Sequence, residues 1–164
     1  MDQKLVILGG GISGIGAAVL AKKNGINVFV SDNGTIKEED KKILIKNNIE
    51  WEEGKHTKEI ILSAFEIIKS PGIPETSSII TESINHNIPV VSEIEFAYRY
   101  TNAKIISITG TNGKTTTSLL IGHILKKSGY NVLVTGNIGN SFAYSIAENE
   151  YDYIVLELSS FQLD

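Results

Sequence analysis

The stretch Ile105-Ile-Ser-Ile-Thr-Gly-Thr-Asn-Gly-Lys-Thr-Thr-Thr117 carries the strongest indication of the fold. An apolar run ends in a loop that contains Gly110 and Gly113, and Lys114 then opens a segment with a helical pattern. Glycines let backbone N–H groups point inward, the helix start adds the positive end of its dipole, and the lysine adds a charge. The stretch therefore predicts a strand, a phosphate-binding loop and a helix, and with them a nucleoside triphosphate site.

The loop is a short form of the phosphate-binding motif. The common form has a glycine five positions before Gly113, where this chain has Ile108. What remains is Gly-x-x-Gly-Lys-Thr, from Gly110 to Thr115. An ordinary strand-to-helix turn could contain Lys-Thr by chance, but the placement and the residue types together favour phosphate binding.

Composition and charge limit the possible classes of protein. The chain has 164 residues, of which 41% are apolar and 21% charged, as in a soluble globular protein of one or two domains. Its net charge is −4 and it has no basic cluster, so we expect neither nucleic acid nor a membrane surface as a partner. It has no cysteine and no apolar run of about 20 residues, which is typical of a cytoplasmic protein without disulfides.

Short β-branched runs alternate with helical patterns along the whole chain, which predicts an α/β fold with parallel sheets covered by helices. The predicted strands are Lys4–Leu8, Asn27–Ser31, Phe65–Lys69, Pro89–Ser92, Lys104–Thr109, Asn131–Thr135 and Tyr153–Leu158. The predicted helices are Ser13–Asn24, Glu38–Asn47, Lys58–Ser63, Ser77–Asn87, Glu93–Tyr100, Lys114–Ser128 and Ser141–Glu148.

The same arrangement starts twice. Lys4–Gly14 and Lys104–Lys114 each predict a strand, a glycine loop and a helix start. We therefore predict a Rossmann-like domain over residues 1–100 and the beginning of a P-loop-type ATPase domain over residues 101–164. The first domain has about four predicted strands and the second has three. Three strands form a thin core, so we expect the second domain to be incomplete.

The first glycine loop, Gly9-Gly-Gly-Ile-Ser-Gly14, fits Gly-x-Gly-x-x-Gly, and Asp32 follows the second predicted strand. Alone, this is a dinucleotide fingerprint in which the helix start holds a diphosphate and the aspartate binds ribose hydroxyls. A UDP-sugar carries the same two groups, and the glycines could also serve packing only. The triphosphate-type loop further along the chain favours the UDP-sugar.

Two other positions are candidates because they follow predicted strands. Gly72 lies in the rigid turn Ser70–Pro74, at the sheet edge where open α/β folds bind ligands, although the turn could be a simple strand stop. Glu157 ends an apolar strand. A carboxylate there, beside a phosphate loop, is costly unless a cation compensates it, so we expect a metal site or else an exposed acid.

Several segments, in this order, resemble the Mur ligases of peptidoglycan synthesis, and among them the D-glutamate-adding branch. They are Gly9–Gly14, Ser70–Pro74, Ser92–Glu95, Thr109–Thr116, Gly136–Gly139 and Leu156–Leu163. The resemblance covers the whole chain. Thr109–Thr116 identifies the superfamily only, whereas Ser70–Pro74 and Leu156–Leu163 are specific to the D-glutamate-adding branch.

The resemblance implies an ATP-dependent ligase that joins D-glutamate to UDP-N-acetylmuramoyl-L-alanine through an acyl phosphate. Its three domains would hold the UDP-sugar, ATP with Mg²⁺, and the amino acid. This chain would contain the first domain and the start of the second, so the D-glutamate site would lie beyond Asp164. The fragment would bind the UDP-sugar without turnover and Mg-ATP weakly or not at all. The full-length enzyme is implied to be a monomer.

The same resemblance assigns roles to particular residues. Lys114 would neutralise charge on the transferred phosphoryl group, and Thr115 and Glu157 would hold Mg²⁺. Asn137 would contact the sugar or the reacting end of the substrate. ATP would be bound by Gly110, Thr111, Asn112, Gly113, Lys114, Thr115 and Thr116. The UDP-sugar would be bound by Gly11, Ile12, Ser13, Gly14, Asp32, Gly72, Asn137 and Ser159, with the uracil contacts left open by a departure from the family at Asn33 and Gly34.

Two other classes of protein remain possible at this point. An NAD(P)-binding oxidoreductase domain is supported by Gly9–Gly14 and Asp32 and opposed by Lys114 and Thr115. A non-enzymatic nucleotide-binding regulator with a P-loop switch is opposed by Leu156–Leu163, which has no reason to occur in such a protein.

Overall fold

The computed structural model describes residues 3–137 and 139–159, in which eight strands alternate with seven helices. The strands are β1 (Leu5–Leu8), β2 (Val28–Asp32), β3 (Glu50–Glu53), β4 (Glu66–Lys69), β5 (Val90–Ser92), β6 (Lys104–Ile108), β7 (Val132–Gly136) and β8 (Tyr153–Glu157). The helices are α1 (Ile12–Lys23), α2 (Glu38–Lys46), α3 (Lys58–Ile61), α4 (Ser78–Asn85), α5 (Glu93–Tyr98), α6 (Lys114–Lys127) and α7 (Phe142–Glu148).

The strands of the described residues form two sheets. One has five strands in the order β3-β2-β1-β4-β5, and the other has three in the order β6-β8-β7. Every strand pair is parallel, so each strand reaches the next through a helical crossover. The predicted α/β class is confirmed. The sheets separate between β5 and β6, while the proposed domains 1–100 and 101–164 stay a prediction. We refer to β1–α5 as the first unit and to β6–β8 as the second.

Strand β3 corrects the expectation of about four strands in the first unit. Its sequence, Glu50-Trp-Glu-Glu53, lacks the apolar run by which the other strands were predicted. It lies at the edge of the sheet and pairs with β2 from Phe29–Glu50 to Asp32–Glu53. An edge strand needs few apolar side chains, and here Trp51 packs against the core. Neighbouring β2, not its own composition, makes this segment a strand.

The core lies on both faces of the first sheet. All four residues of β1 are buried, and successive side chains point to opposite faces. Leu5 and Ile7 belong to one apolar cluster and Val6 and Leu8 to the other. The first of these clusters also contains side chains of the second unit, namely Phe142, Ala143, Ile154, Leu156 and Leu158.

The second sheet is covered less evenly. In its central strand β8, Ile154–Leu156 is buried as expected, but in the edge strand β7 Leu133 and Val134 are only half-buried. Helix α7 packs against α1 and α5 of the first unit, whereas α6 packs on the second sheet. Exposed apolar side chains of α6 are Leu119, Leu120 and Ile124. Among the described residues, no helix is both long and apolar enough to span a membrane.

Candidate nucleotide-binding site

The loop between β6 and α6 has the backbone that its glycines predict. Gly110 has φ 138° and Gly113, which caps the start of α6, has φ 76°. Residues other than glycine rarely adopt such φ angles. A Cβ at Gly113 would meet no described atom within 4 Å. Backbone conformation, not packing, therefore requires this glycine, and the space outside the loop is open to a ligand.

Lys114 lies over this loop. Its Nζ donates a hydrogen bond to the carbonyl oxygen of Gly110 at 2.7 Å, and the carbonyl of Thr111 lies 3.5 Å away. Thr115 and Thr116, in the first turn of α6, are exposed. A helix leaves its first N–H groups without intrahelical partners, so the lysine and these N–H groups offer positive charge and donors at one place. This arrangement suits an anion such as a phosphate.

Glu157 ends β8, the central strand of the second sheet. It is aligned with Ile108 at the end of β6 and with Gly136 at the end of β7. Its side chain is 4% exposed, and its Oε2 is buried without a hydrogen-bond partner among the described residues. The carboxylate therefore lies at the same sheet edge as the strand that leads into the phosphate loop.

An unpaired buried carboxylate is costly unless a cation compensates it. Magnesium prefers carboxylate and hydroxyl oxygens and is commonly held by one or two carboxylates together with substrate phosphates. Glu157 and the hydroxyl of Thr115 supply oxygens of this kind. In the described part of the chain, no group of three or more His, Cys, Asp or Glu could form a metal site by itself. The residues present therefore fit Mg²⁺ that binds together with a phosphate.

Asn137 begins the loop that follows β7 and is exposed. Its N–H donates to the carbonyl oxygen of Glu157 at 3.0 Å. The preceding Gly136 has φ 109°, and a Cβ there would lie 2.1 Å from that same carbonyl oxygen. At the other end of the loop, Thr135 Oγ1 donates to the carbonyl oxygen of Asn140 at 2.6 Å. The loop is thus tied to β8 next to Glu157; Ile138 lies outside the described residues.

The glycines of the first loop differ in function. A Cβ at Gly14 would lie 1.9 Å from the carbonyl oxygen of Gly9, so this glycine is required for close backbone packing. A Cβ at Gly11, which caps α1 with φ −86°, would meet nothing within 4 Å in the described structure. The neighbouring Ile12 is 66% exposed. Gly11 and Ile12 thus lie where a ligand could approach.

Asp32 holds two loops together. Its Oδ2 accepts a hydrogen bond from the N–H of Gly10 at 2.5 Å, and its Oδ1 accepts one from the N–H of Gly34 at 2.6 Å. The sequence predicted that this carboxylate serves the ligand. The structure shows that it first stabilises the glycine loop, and its contact with a ligand stays a prediction.

The Ser70–Pro74 turn lies against the first glycine loop. A Cβ at Gly9 would lie 2.5 Å from Ser70 Oγ, which shows how closely the two segments approach. Gly72 is exposed, and a Cβ there would have no described atom within 4 Å. Two segments that the sequence predicted for the UDP-sugar are therefore neighbours in space.

A cleft of about 1040 Å³ opens between the two units. Its lining includes Ser13 and Ser159, which the sequence predicted, together with Pro71 beside Gly72. Among the described residues, Asp32, Asn137 and the phosphate loop are not part of this lining. Ser13 and Ser159 therefore lie at the cleft, and the phosphate loop, Asn137 and Glu157 lie at the edge of the second sheet. The other predicted residues belong to the first unit outside this lining, namely Gly11, Ile12, Gly14, Asp32 and Gly72.

The cleft also contains residues to which sequence reasoning gave no role. Lys69 donates to the carbonyl oxygen of Ile73 at 3.0 Å and pairs with Glu75 at 2.8 Å. Glu93 is almost fully buried, and burial raises its pKa despite hydrogen bonds from Ala143 and Ser141 that lower it. The only signal for Glu93 was its place in the segment Ser92–Glu95, which contributed to the family resemblance.

The family models agree with this geometry. The MurD N-terminal domain matches residues 4–79, and the Mur ligase middle domain matches residues 108–164. The chain belongs to the Mur ligase family. Residues 160–163, which complete the segment Leu156–Leu163 that contributed to the resemblance, lie outside the described residues.

Curated members of the Mur ligase family are similar to the chain over its whole length. The UDP-N-acetylmuramoylalanine--D-glutamate ligase of Bacteroides fragilis is 56% identical over 162 residues, which are 99% of this chain and 36% of the relative. The ligase of the same name from Christiangramia forsetii is 54% identical over 164 residues, 100% of this chain and 37% of the relative. The chain thus spans little more than a third of the length of these relatives.

Solved Mur-type ligases share the fold. A pseudomurein peptide ligase type C from Methanothermus fervidus is 29% identical, with a TM-score of 0.57 over 97% of this chain and 33% of that chain. The UDP-N-acetylmuramate-alanine ligase of Thermotoga maritima is 22% identical, with a TM-score of 0.59 over 95% and 37%. The second likeness concerns the fold alone. Together the matches confirm the family resemblance and do not support the oxidoreductase alternative.

Proposed function

We propose that this chain is the UDP-sugar-binding and phosphate-binding part of an ATP-dependent ligase of peptidoglycan precursor synthesis. The enzyme would join D-glutamate to UDP-N-acetylmuramoyl-L-alanine. The similarity to ligases of that name supports this substrate pair. The observation that carries the proposal is the edge of the second sheet, where the phosphate loop, Asn137 and the unpaired carboxylate of Glu157 follow three neighbouring strands.

The reaction proceeds in two steps. The γ-phosphoryl group of ATP passes to the carboxylate of the UDP-sugar substrate, giving an acyl phosphate and ADP. The amine of D-glutamate then attacks the acyl carbon, and phosphate leaves as the amide bond forms. We place the D-glutamate site outside this chain, which spans about 36% of the related ligase. The chain alone is expected to bind the UDP-sugar without turnover, in a cytoplasmic enzyme that acts as a monomer.

The residues of the second unit bind and orient phosphate. Lys114 and the N–H groups at the start of α6 hold the phosphate oxygens and offset the charge that develops on the transferred group. Thr115 and Glu157 would hold Mg²⁺, which when bound would neutralise phosphate charge. Asn137, tied to Glu157 through its backbone N–H, would face the reacting end of the substrate.

The residues of the first unit bind the UDP moiety. Gly11 and Gly72 leave open space for a ligand, and Ser13 lines the cleft close to the start of α1. The start of α1 can accept a diphosphate for the same reason that α6 can accept a phosphate. A cleft of about 1040 Å³ has room for a ligand larger than a typical drug-sized molecule.

The proposal is tested by calorimetric titration of this chain with UDP-N-acetylmuramoyl-L-alanine, with NADH titrated in parallel. We expect saturable heat with the UDP-sugar, none with NADH, and weak or no heat with Mg-ATP. Gly11→Ala should weaken UDP-sugar binding at least about tenfold and lower the melting temperature less than Gly14→Ala, because the added methyl group meets no described protein atom and alters only the cap of α1. Gly14→Ala is the contrasting variant, because its Cβ meets backbone and should lower the melting temperature. Heat with NADH alone would contradict the proposal.

A further inference from the structure

Glu93, the first residue of α5, reaches from the first unit to the second. Its side chain is 7% exposed. Its Oε1 accepts hydrogen bonds from Ser141 Oγ at 2.8 Å and from the N–H of Ala143 at 2.6 Å. Both donors lie at the start of α7, about 50 residues further along the chain. A carboxylate of one unit therefore satisfies the helix start of the other.

Ser141 completes this helix start. Its Oγ accepts a hydrogen bond from the N–H of Tyr144 at 3.1 Å while donating to Glu93. The first N–H groups of a helix have no intrahelical partners, and a negative charge is favoured at this end of the helix dipole. The start of α7 is thus held by its own serine and by Glu93 together.

The start of α7 has little freedom to move away from Glu93. Phe142 and Ala143 are fully buried in the cluster that also contains the core of the first unit. On the facing helix α1, a Cβ at Gly16 would lie 2.0 Å from Ser141 Oγ. Close packing on this side and the Glu93 carboxylate therefore hold the start of α7 together.

Glu93 is itself fixed to the first unit. The helix that it begins is followed by Arg99, whose Nη1 donates to both carboxylate oxygens of Glu66 in β4, at 2.8 and 3.0 Å. Glu66 is buried, so this ion pair anchors the far end of α5 to the first sheet. The Glu93 carboxylate is therefore held in a fixed position relative to the first sheet.

The segment held by Glu93 directly follows the loop that carries Asn137. Of this loop the structure describes Gly136, Asn137, Gly139 and Asn140, and its start is tied to β8 by the hydrogen bond from the N–H of Asn137 to the carbonyl oxygen of Glu157. Its end is tied by Thr135 and then by the start of α7. One end of the loop is thus positioned by the second sheet and the other by the first unit.

We propose that Glu93 is a positioning residue for Asn137. By holding the start of α7, it sets the end of the loop and so keeps Asn137 aligned with a substrate bound on the first unit. This inference rests on the proposed function, in which Asn137 faces the reacting end of the UDP-sugar substrate. One buried carboxylate then couples the two units at the site.

The contacts of Glu93 allow substitutions that separate the effect of its hydrogen bonds from the effect of its charge. Both donors bond to the same oxygen, Oε1, so the amide oxygen of Glu93→Gln can accept both hydrogen bonds. Glu93→Ala removes the acceptor and leaves a buried N–H and a hydroxyl without it. Glu148→Ala is a matched control, since it removes a carboxylate contact to Lys23 of α1 at the other end of α7. Ser141→Ala removes one of the two donors, together with the acceptor for the N–H of Tyr144, and it is the alternative variant if Glu93→Ala does not fold.

The experiment is a double-mutant cycle on this chain, read as the calorimetric affinity for UDP-N-acetylmuramoyl-L-alanine. Glu93→Ala should weaken binding about tenfold in the wild-type background and less than about twofold in an Asn137→Ala background, because interacting residues are not additive. Ser141→Ala should also weaken binding more in the wild-type background than in the Asn137→Ala background, but by less than Glu93→Ala does. The affinities of Glu93→Gln and Glu148→Ala should stay within about twofold of wild type.

Each outcome has a distinct meaning. Equal losses in both backgrounds, or a Glu93→Gln variant as weak as Glu93→Ala, would overturn the positioning role and leave the proposed function intact. Wild-type chain that binds no UDP-sugar would overturn the proposed function and this inference together. Weakening by Glu148→Ala to the same extent would show that α7 acts through general stability and not through Glu93.

Discussion

The buried carboxylate of Glu157 yields a prediction whose sign separates a cation site from a structural acid. Its Oε2 is buried and has no hydrogen-bond partner among the described residues, so without a divalent cation this oxygen is left uncompensated, which is costly. Glu157→Gln keeps the volume of the side chain and removes the charge. We therefore expect this variant to be more stable than wild type in EDTA, although substitutions at buried polar positions usually destabilise.

The magnitude follows from the cost of an unsatisfied buried group. Such a group costs about 1–3 kcal/mol, and more when charged, of which glutamine recovers the part due to charge. We expect a gain of about 1–2 kcal/mol, equivalent to about 2–4 °C in melting temperature for each kcal/mol. Wild type should in turn gain about 1.4 kcal/mol when Mg²⁺, added together with inorganic phosphate, is raised to ten times its Kd, whereas the variant should gain nothing.

The assay is thermal and urea unfolding of both proteins in EDTA and over a Mg²⁺ series at a fixed concentration of inorganic phosphate. Glu66→Gln is the control, because this buried carboxylate already has Arg99 as a partner. Its loss should destabilise by about 1 kcal/mol without any response to Mg²⁺. If Glu157→Gln is less stable than wild type in EDTA, the carboxylate has a favourable partner within the protein and the reasoning is refuted. Equal Mg²⁺ responses would place the cation elsewhere.

Two shorter predictions concern packing and acid. Gly16→Ala should destabilise the protein by about 1–3 kcal/mol and speed amide hydrogen exchange at the start of α7, because its Cβ would lie 2.0 Å from Ser141 Oγ. Unchanged exchange would show that α1 and α7 can separate without cost. Burial alone would raise the pKa of Glu52, but hydrogen bonds from Thr57 and Ser31 outweigh it and lower that pKa. The stability that Glu52 contributes is therefore present above its ordinary pKa and is lost as the pH falls through the lowered value. Urea unfolding from about pH 3 to 7 should show Glu52→Gln about 2 kcal/mol less stable near neutrality and less sensitive to acid, and parallel curves would contradict this.

The sequence predicted the elements whose own residues bury apolar surface. Each of the seven predicted strands is present within one or two residues, because short apolar runs such as Leu5–Leu8 and Ile154–Leu156 are typical of strands that are buried on both faces of a sheet. Strand β3 was missed because it depends on pairing with β2 and carries three glutamates in four residues. Local composition holds no information about such an edge strand.

The residues of the candidate site also differ in how far their roles could be predicted from the sequence. Glu157 could be predicted from the sequence, because an acid that ends an apolar strand beside a phosphate loop is unusual in itself. The hydrogen bonds that Asp32 accepts from Gly10 and Gly34 could not be predicted, because an aspartate at this position could bind either a ligand or the backbone of a loop. The role of Glu93 depends on α7, which follows about 50 residues later, and no spacing rule connects the two.

Helix α7 explains why the two units should not be treated as independent. By sequence it follows the second unit's strand β7, yet it packs on α1 and α5 of the first unit. Ile154 and Leu156 of the second sheet belong to the same apolar cluster as Leu5 and Ile7 of the first. The boundary between β5 and β6 therefore separates two sheets but not two cores. Since the units share this core, Glu93 and α7 can transmit the position of a ligand on the first unit to the loop that carries Asn137.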